Sequence, residues 1–129
     1  LFFKKRIKYY IDNYFISLVK VDGEIAGHLF FQAKENVTLG VGEFETVHIS
    51  KEYRGLGLGT KLIEKSIIFA KNYFKKYKIK LRCLYLFTRS NNKIAQKIYK
   101  KAGFKSMNKI GKIFLDKEPA ELVMARFFR

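Results

Sequence analysis

The spacing of apolar residues changes several times along the 129-residue chain, and each change predicts a new element of structure. Residues 1–12 place apolar side chains at helical spacing between lysines and arginines, which predicts a helix. Residues 14–34 contain two β-rich runs on either side of Asp22-Gly23, a two-residue hairpin signal. A loop and then a third strand, at residues 42–50, are predicted next.

The middle of the chain combines a turn, a helix and a strand. A basic, glycine-rich turn at residues 51–59 leads into a helix whose apolar positions recur over about residues 60–77. The strongly apolar stretch 78–88 predicts a strand. We expect Cys83 to be a small core residue in the middle of that strand.

A second helix is predicted over residues 92–101, and Gly103 is well placed to end it. The tail, residues 104–128, predicts two further strands separated by residues 116–119. The order of helix, three strands, helix, strand, helix and two strands predicts a single mixed α/β domain over residues 1–129. The inward face of the second helix is predicted to consist of Ile94, Ala95, Ile98, Tyr99 and Ala102.

The chain is strongly basic, with 27 Lys and Arg residues, 11 Asp and Glu residues and a formal net charge of +16. Such a surplus is typical of proteins that bind nucleic acid, an acidic surface or an anionic ligand. Aromatic residues interleaved with lysines over residues 69–80 would suit stacking and phosphate contacts, which keeps a nucleic-acid-binding module as an alternative. Because the lysines are scattered, we favour base bias in the coding DNA as the main source of the surplus.

Several functional classes are excluded by what the sequence lacks. No apolar run reaches the roughly 18 residues of a membrane span, and the start of the chain does not resemble a signal peptide. The single cysteine cannot form an internal disulfide, which fits a reducing, cytoplasmic compartment. One Cys and two distant His do not provide the ligands of a structural zinc site. Because Leu1 is not Met, we expect a fragment or a trimmed product.

The turn R-G-L-G-L-G, from Arg54 to Gly59, lies between a predicted strand and a predicted helix. Glycines at such a place let backbone N–H groups approach an anion, and the helix N-terminus adds partial positive charge, so phosphate is the natural ligand. Two known phosphate loops do not fit. A P-loop needs Lys directly after its last glycine, whereas Thr60 separates Gly59 from Lys61. A dinucleotide fingerprint would need its third glycine at Thr60.

The turn instead resembles the acyl-coenzyme-A loop of the GNAT superfamily of N-acetyltransferases, whose signature is Q/R-x-x-G-x-G/A between a strand and a helix. Arg54, Gly57 and Gly59 fill its three fixed positions. The stretch NKIAQKIYKKAGF resembles the second signature of that family, N-x-x-A-x-x-x-Y-x-x-x-G-F, and follows in the family's order with a strand between. The residues that match it are Asn92, Ala95, Tyr99, Gly103 and Phe104.

The resemblance implies a GNAT-like fold, in which a central mixed and mostly antiparallel sheet is flanked by helices. It implies acetyl-CoA as co-substrate and no metal. Family members usually begin with a further strand and helix, which we do not find at the start of this chain, so the chain either starts late or has a reduced front. The first hairpin strand would then be an exposed edge, which favours a homodimer or missing sequence.

The resemblance also implies cofactor-binding positions. Backbone N–H groups of the turn would hold the pyrophosphate, and the backbone of residues 47–49 would pair with the pantetheine arm like an added strand. One N–H group of that stretch would polarise the thioester carbonyl. The implied positions are Val47, His48, Ile49, Arg54, Gly55, Leu56, Gly57, Leu58, Gly59, Thr60, Asn92 and Tyr99.

Tyr99 is the implied partner of the leaving thiolate. A thiol titrates near 8.5 and a tyrosine near 10, so complete proton transfer would be uphill by about 2 kcal/mol and a strong hydrogen bond is the better role. The candidate bases are Glu43 and Glu45, which alternation puts on one face of their strand. Glu43 matches the family spacing better, and Glu45 lies closer to the expected thioester. Alternation puts His48 on the opposite face, in a structural or surface role.

The first hypothesis is therefore an N-acyltransferase in which a primary amine attacks acetyl-CoA directly in a ternary complex. A GNAT-like domain that binds acyl-CoA without turnover and a basic nucleic-acid-binding module are the alternatives. No motif identifies the acceptor, which would be a small-molecule or protein amine. The lysine surplus favours an acidic or phosphate-bearing acceptor over a polyamine, because like charges repel. Neither a membrane nor nucleic acid is expected among the partners.

Overall fold

The computed structural model describes residues 15–33, 37–110 and 120–129. The predicted helix over residues 1–12 and the predicted turn at residues 116–119 lie outside these ranges. The described elements are β1 Phe15–Val21, β2 Glu24–Ala33, β3 Val41–Ile49, α1 Leu58–Lys76, β4 Cys83–Arg89, α2 Lys93–Lys101, β5 Lys105–Ile110 and β6 Glu121–Phe127.

The six described strands form one sheet in the order β1-β2-β3-β4-β6-β5. Among them only β3 and β4 pair in parallel, joined by a crossover through α1, and all other neighbours are antiparallel. This agrees with the mixed and mostly antiparallel sheet expected above. The outer strands of the described sheet are β1 and β5, so the first hairpin strand does lie at an edge.

The hairpin between β1 and β2 turns through Asp22 and Gly23, as the sequence predicts. Their φ angles are 50° and 83°, and a two-residue type I′ turn requires positive φ at both positions. Asp tolerates this conformation and Gly adopts it freely. The turn therefore sets the pairs Val21–Glu24 and Lys20–Ile25, and a bulge at Ala26 shifts the register of the remaining pairs by one residue.

The core lies between the sheet and α1. The buried ring of Phe31 contacts Phe44 of β3 and Phe69, Tyr73 and Phe74 of α1, with ring centroids 5.6 to 6.2 Å apart. Burying one such ring stabilises the fold by roughly 1.5–3 kcal/mol. In the lysine-rich stretch Phe74 is therefore buried in the core, whereas Phe69 and Tyr77 remain 40% and 50% exposed.

β3 contains a bulge. His28 of β2 pairs with His48, but Phe30 pairs with Glu45, so β3 uses one more residue than β2 between these pairs. Thr46, inside the bulge, has a φ of 54°. An extra residue reverses the alternation of side chains beyond it. The prediction that His48 faces away from the two glutamates is therefore wrong, and its ring lies on their face, 5.5 Å from the ring of His28.

The strand predicted over residues 78–88 is shorter than expected, because β4 begins only at Cys83. Lys78 has a φ of 59°, and the N–H groups of Arg82 and Cys83 both donate to the Gly40 carbonyl, so this segment turns before the strand starts. The placing of Cys83 in mid-strand within the core is also wrong. Its side chain is partly exposed, although the burial it does have raises the pKa of its thiol.

The inward face of α2 differs from the predicted one. Ile94 has 79% of its surface exposed, whereas Gln96 is buried. The side-chain amide of Gln96 donates to the carbonyls of Arg89 and Ser90, at 3.0 Å in each case, so its polar group is satisfied. The prediction for Ile94 is wrong, because a polar side chain with local partners shares the inward face with Tyr99.

Two classes of feature are absent from the described residues. None of the helices there is long and apolar enough to cross a membrane. No group of three or more His, Cys, Asp or Glu side chains in the same ranges is arranged to hold a metal ion.

Candidate active site

A cleft opens where β3 and β4 stop pairing. Their parallel register ends at the pair Phe44–Leu86, although both strands continue beyond it. The cleft has a volume of about 690 Å³. Its walls come from β3, β4, β6 and the start and middle of α2, through Glu45, Thr46, Val47, Phe87, Thr88, Arg89, Asn92, Tyr99 and Glu121.

The bulge of β3 forms one wall of this cleft through Thr46 and Val47. The left-handed φ of Thr46 is unusual for a β-branched residue and costs about 1–2 kcal/mol. The extra residue of a bulge is left out of the regular ladder. The bulge therefore interrupts the pairing of β3 with β2 at the point where β3 borders the cleft.

The glycine turn connects β3 to α1. Gly57 is the N-cap residue of α1 with a φ of 76°, and Gly55 has a φ of 82°. Left-handed backbone angles favour glycine at both positions. A Cβ at either position would meet no protein atom within 4 Å, so the preference for glycine comes from the backbone angles and not from crowding. The space beside the two glycines therefore stays open to a ligand.

The turn also presents unpaired backbone donors. The N–H groups of residues 58–60 have no helical partner, because the carbonyls four positions earlier lie outside α1, and no described side chain caps the helix at Gly57. At the other end of the turn, the Nε–H of Arg54 donates to the Ile49 carbonyl over 3.0 Å. Free N–H groups at the positive end of a helix dipole suit a pyrophosphate.

α2 places Tyr99 in the cleft wall. Asn92 is the N-cap residue of the helix, and its Oδ1 accepts a hydrogen bond from the N–H of Ala95 at 3.2 Å. This motif residue therefore caps the helix as well as lining the cleft. Tyr99 is 7% exposed, and burial raises its pKa to about 12. Its ring contacts Phe104 with centroids 6.3 Å apart. Tyr99 is thus a neutral hydrogen-bond donor at ordinary pH.

The two candidate bases occupy different places. Glu43 and Glu45 lie on the same face of β3, as predicted, opposite Gln32 and Phe30 of β2. Of the two, Glu45 lines the cleft. Glu43 lies further back, beside Tyr85 of β4, where the two strands still pair. The structure therefore brings Glu45, rather than Glu43, into the same cavity as Tyr99.

His48 belongs to a histidine pair outside the cleft lining. Burial, and secondly the neighbouring His48, lower the pKa of His28. The His28 ring stacks on Phe30 with centroids 5.1 Å apart. Neither histidine lines the cleft, so any role of His48 in holding pantetheine would be carried by its backbone.

The wall opposite β3 contains residues that the sequence does not single out. Arg89 Nε and Glu121 Oε1 form an ion pair at 3.0 Å, and Phe87 remains 47% exposed. Alternation along the predicted strand 78–88 does put Phe87 on one face, but no spacing rule shows that the sheet opens beside it. Glu121 joins the site only through the pairing of β6 with β4.

Known proteins with similar sequences and folds agree on one family. Residues 2–104 match the model of the acetyltransferase (GNAT) family. An N-alpha-acetyltransferase of Sulfurisphaera tokodaii is 30% identical over 132 residues, which cover 96% of this chain and 75% of that protein. The crystal structure of the ribosomal-protein-S18-alanine N-acetyltransferase of Escherichia coli matches with a TM-score of 0.78 at 19% identity, over 96% of this chain and 75% of that one. A GNAT family acetyltransferase from Elizabethkingia anophelis with acetyl-CoA bound also matches with a TM-score of 0.78, at 18% identity, over 97% of this chain and 83% of that one.

The fold and its split sheet are therefore of the GNAT type. The chain belongs to the GNAT acetyltransferase family, and it is an acetyl-CoA-dependent N-acetyltransferase. Acetyl-CoA is its co-substrate. The resemblance inferred from the two sequence motifs is confirmed, while the roles of the individual site residues stay predictions.

Proposed function

We propose that this protein transfers the acetyl group of acetyl-CoA to a primary α-amine by direct attack, with both substrates bound in the cleft. The observation that carries the proposal is that the bulge of β3, Tyr99 and Glu45 all line one cavity of about 690 Å³. Direct transfer needs a donor for the carbonyl oxygen, a partner for the leaving sulfur and an acceptor for the amine proton. The cavity has one candidate for each.

The outer part of β3 would hold the coenzyme. Residues 47–49 lie between the cleft and the glycine turn, and β4 no longer pairs with β3 beyond Phe44. An extended ligand could therefore add to β3 like a strand, with its pyrophosphate at the N–H groups of residues 58–60. One backbone N–H group at the bulge would polarise the thioester carbonyl, which contributes around 3 kcal/mol to such reactions.

Tyr99 would stabilise the leaving group. The amine nitrogen attacks the carbonyl carbon and forms the new C–N bond, and the C–S bond then breaks to release the thiolate of CoA. With a tyrosine pKa of about 12 and a thiol near 8.5, complete proton transfer would be uphill by about 5 kcal/mol. Tyr99 would therefore donate a hydrogen bond to the sulfur, and the thiolate would take up a proton from solvent after release.

Glu45 would receive the proton that the attacking nitrogen loses, directly or through a water molecule. An α-ammonium titrates near 7.7–8.0 and an ordinary glutamic acid near 4.3, a gap of about 5 kcal/mol. For a lysine side chain, which titrates near 10.4, the same gap is about 8 kcal/mol. A carboxylate in an open cleft is therefore better matched to an α-amine than to a lysine.

Two further observations support an α-amine of a peptide or protein as the acceptor. The relative from Sulfurisphaera tokodaii is named as an N-alpha-acetyltransferase, and it aligns over nearly the whole of this chain. The net charge of +16 disfavours a polyamine, because like charges repel.

The substitution Tyr99→Phe tests the proposal. A lost hydrogen bond to a developing thiolate should lower kcat roughly 10- to 100-fold, while the Kd for acetyl-CoA stays within about twofold. Tyr77→Phe is the matched control, because Tyr77 is exposed at the C-terminal cap of α1. Transfer is measured as acetylated peptide by mass spectrometry and as released thiol. A Tyr99→Phe variant with the kcat of the wild type would remove Tyr99 from the mechanism.

The two glutamates provide a second comparison for the same assay. Glu45→Gln should lower kcat more than Glu43→Gln, because Glu45 shares the cavity with Tyr99. The opposite order would move the proton acceptor to Glu43.

A further inference from the structure

We infer that Phe87 makes this enzyme select acceptors that carry an apolar side chain next to the α-amine. The inference rests on the proposed function, since it concerns the same cleft and the same amine. It adds a property of the acceptor, namely the chemical class of its first side chain, and it assigns that selection to one residue of β4.

Phe87 is exposed at the place where the sheet opens. It follows Leu86, the last residue of β4 that pairs with β3, and 47% of its surface is accessible. Its neighbours Leu86 and Thr88 are buried, so alternation turns Phe87 to the opposite face of the sheet. A large apolar side chain left open inside a cleft is typical of a surface that binds a ligand.

Phe87 and Glu45 occupy equivalent positions on the two strands. Phe44 and Leu86 are the last paired residues, and Glu45 and Phe87 are the residues that follow them. Both side chains lie on the face opposite α1, and both line the cleft. An amine that approaches Glu45 would therefore have its adjacent substituent beside the Phe87 ring.

Other residues hold the Phe87 ring in place. Tyr85, two residues earlier, packs edge-on against it with ring centroids 6.0 Å apart and planes at 84°. Val123 of β6 is its cross-strand partner. A ring that is already positioned loses little side-chain freedom when a ligand binds, so its apolar surface contributes to selection.

An acidic first side chain would be disfavoured at this position. The cation on the far wall, Arg89, is already paired with Glu121 at 3.0 Å. An acidic side chain would be brought between an aromatic ring and Glu45, where it loses water and meets a like charge. A leucine-like side chain would bury apolar surface on Phe87 instead.

The test uses three peptides that differ only in their first residue, which is Leu, Ser or Asp. For the wild type we expect kcat/KM to be roughly tenfold or more higher for the Leu peptide than for the Ser peptide, and lower still for the Asp peptide. In Phe87→Ala the advantage of Leu over Ser should fall to about twofold, mainly through KM, because the contact is present in ground and transition states alike. Phe87→Leu should keep most of the preference.

Phe127→Ala is the matched control. Phe127 is another exposed phenylalanine, and it pairs with Cys83 at the opposite end of β4, so its removal should leave the Leu-to-Ser ratio unchanged. Phe87→Gln is a second variant, with a polar side chain, should Phe87→Ala not fold, and it should also lose the preference. Thermal unfolding and acetyl-CoA titration establish that each variant is folded and binds the coenzyme.

The possible outcomes separate the inference from the function on which it rests. A wild type that acetylates the Leu and Ser peptides equally well would overturn the inference alone. So would a Phe87→Ala variant that slows transfer to all three peptides by the same factor. A wild type that binds acetyl-CoA but acetylates none of the peptides would overturn the proposed function and the inference together.

Discussion

Replacing Gly57 by Ala separates the ligand-binding role of the glycine turn from its backbone geometry. Gly57 has a φ of 76°, a conformation that costs an L-residue about 1–2 kcal/mol. A Cβ there meets no protein atom within 4 Å, so the free energy of unfolding should fall by this strain alone. The added methyl group would nevertheless stand beside the N–H groups of residues 58–60, where we propose that the pyrophosphate binds. We expect the Kd for acetyl-CoA to rise at least tenfold, a loss of about 1.4 kcal/mol in binding.

The hairpin offers a matched control for this experiment. Gly23 has a φ of 83° and an equally open Cβ position, so Gly23→Ala should lose the same stability and bind acetyl-CoA normally. Gly57→Asn should recover part of the stability, because Asn tolerates left-handed backbone, yet still bind weakly. Urea unfolding and calorimetric titration with acetyl-CoA measure the two effects separately. If Gly57→Ala and Gly23→Ala bind acetyl-CoA with the same Kd, the turn does not hold the coenzyme.

Two further predictions concern stability. Because the raised pKa of Tyr99 favours its neutral form in the native state, its contribution of about 3 kcal/mol is present below pH 10 and is lost as the pH rises through about 12. Between about pH 9 and pH 11.5, the free energy of unfolding measured with urea should fall less for Tyr99→Phe than for the wild type. An equal fall for the two proteins would contradict this. Gln96→Leu should lower the free energy of unfolding by about 1–3 kcal/mol, since the carbonyls of Arg89 and Ser90 lose their donor. In the same urea assay the exposed control Lys97→Leu should change little, and a Gln96→Leu variant as stable as this control would refute the argument.

Much of the fold could be predicted from the sequence because local signals mark its elements. Asp22-Gly23 marks the first hairpin, and Asn92 and Gly103 mark the two ends of α2. The helical spacing of apolar residues marks α1 to within about two residues at each end. Such signals act within one or two turns of chain, so they do not depend on knowing the tertiary structure. The architecture of the sheet was predicted from the two family motifs, because no local pattern specifies which strands pair.

Three features of the site could not be predicted, because each depends on contacts between distant parts of the chain. The alternation of polar and apolar residues slips by one position at Glu45 and Thr46, but this slip alone does not identify a bulge, since Thr is a good strand residue. The point where β3 and β4 separate, which exposes Phe87, is set by the pairing of both strands with others. The burial of Gln96 depends on two carbonyls at the end of β4 and in the loop after it.

The bulge and the strand separation border one cleft, and Gln96 lies in the helix that carries Tyr99. Each of the three features is unfavourable by the rules that govern the rest of the fold. Thr46 holds a left-handed conformation that costs about 1–2 kcal/mol, β3 and β4 give up backbone pairing beyond Phe44, and Gln96 buries a polar group in the helix that carries Tyr99. Local rules are expected to fail where a fold must admit a ligand, because a fully regular sheet would close the cavity. Two of the failures of prediction therefore lie in the elements that form this site, at Thr46 in the cleft wall and at Gln96 in the helix of Tyr99, and neither residue is at a fixed position of either motif.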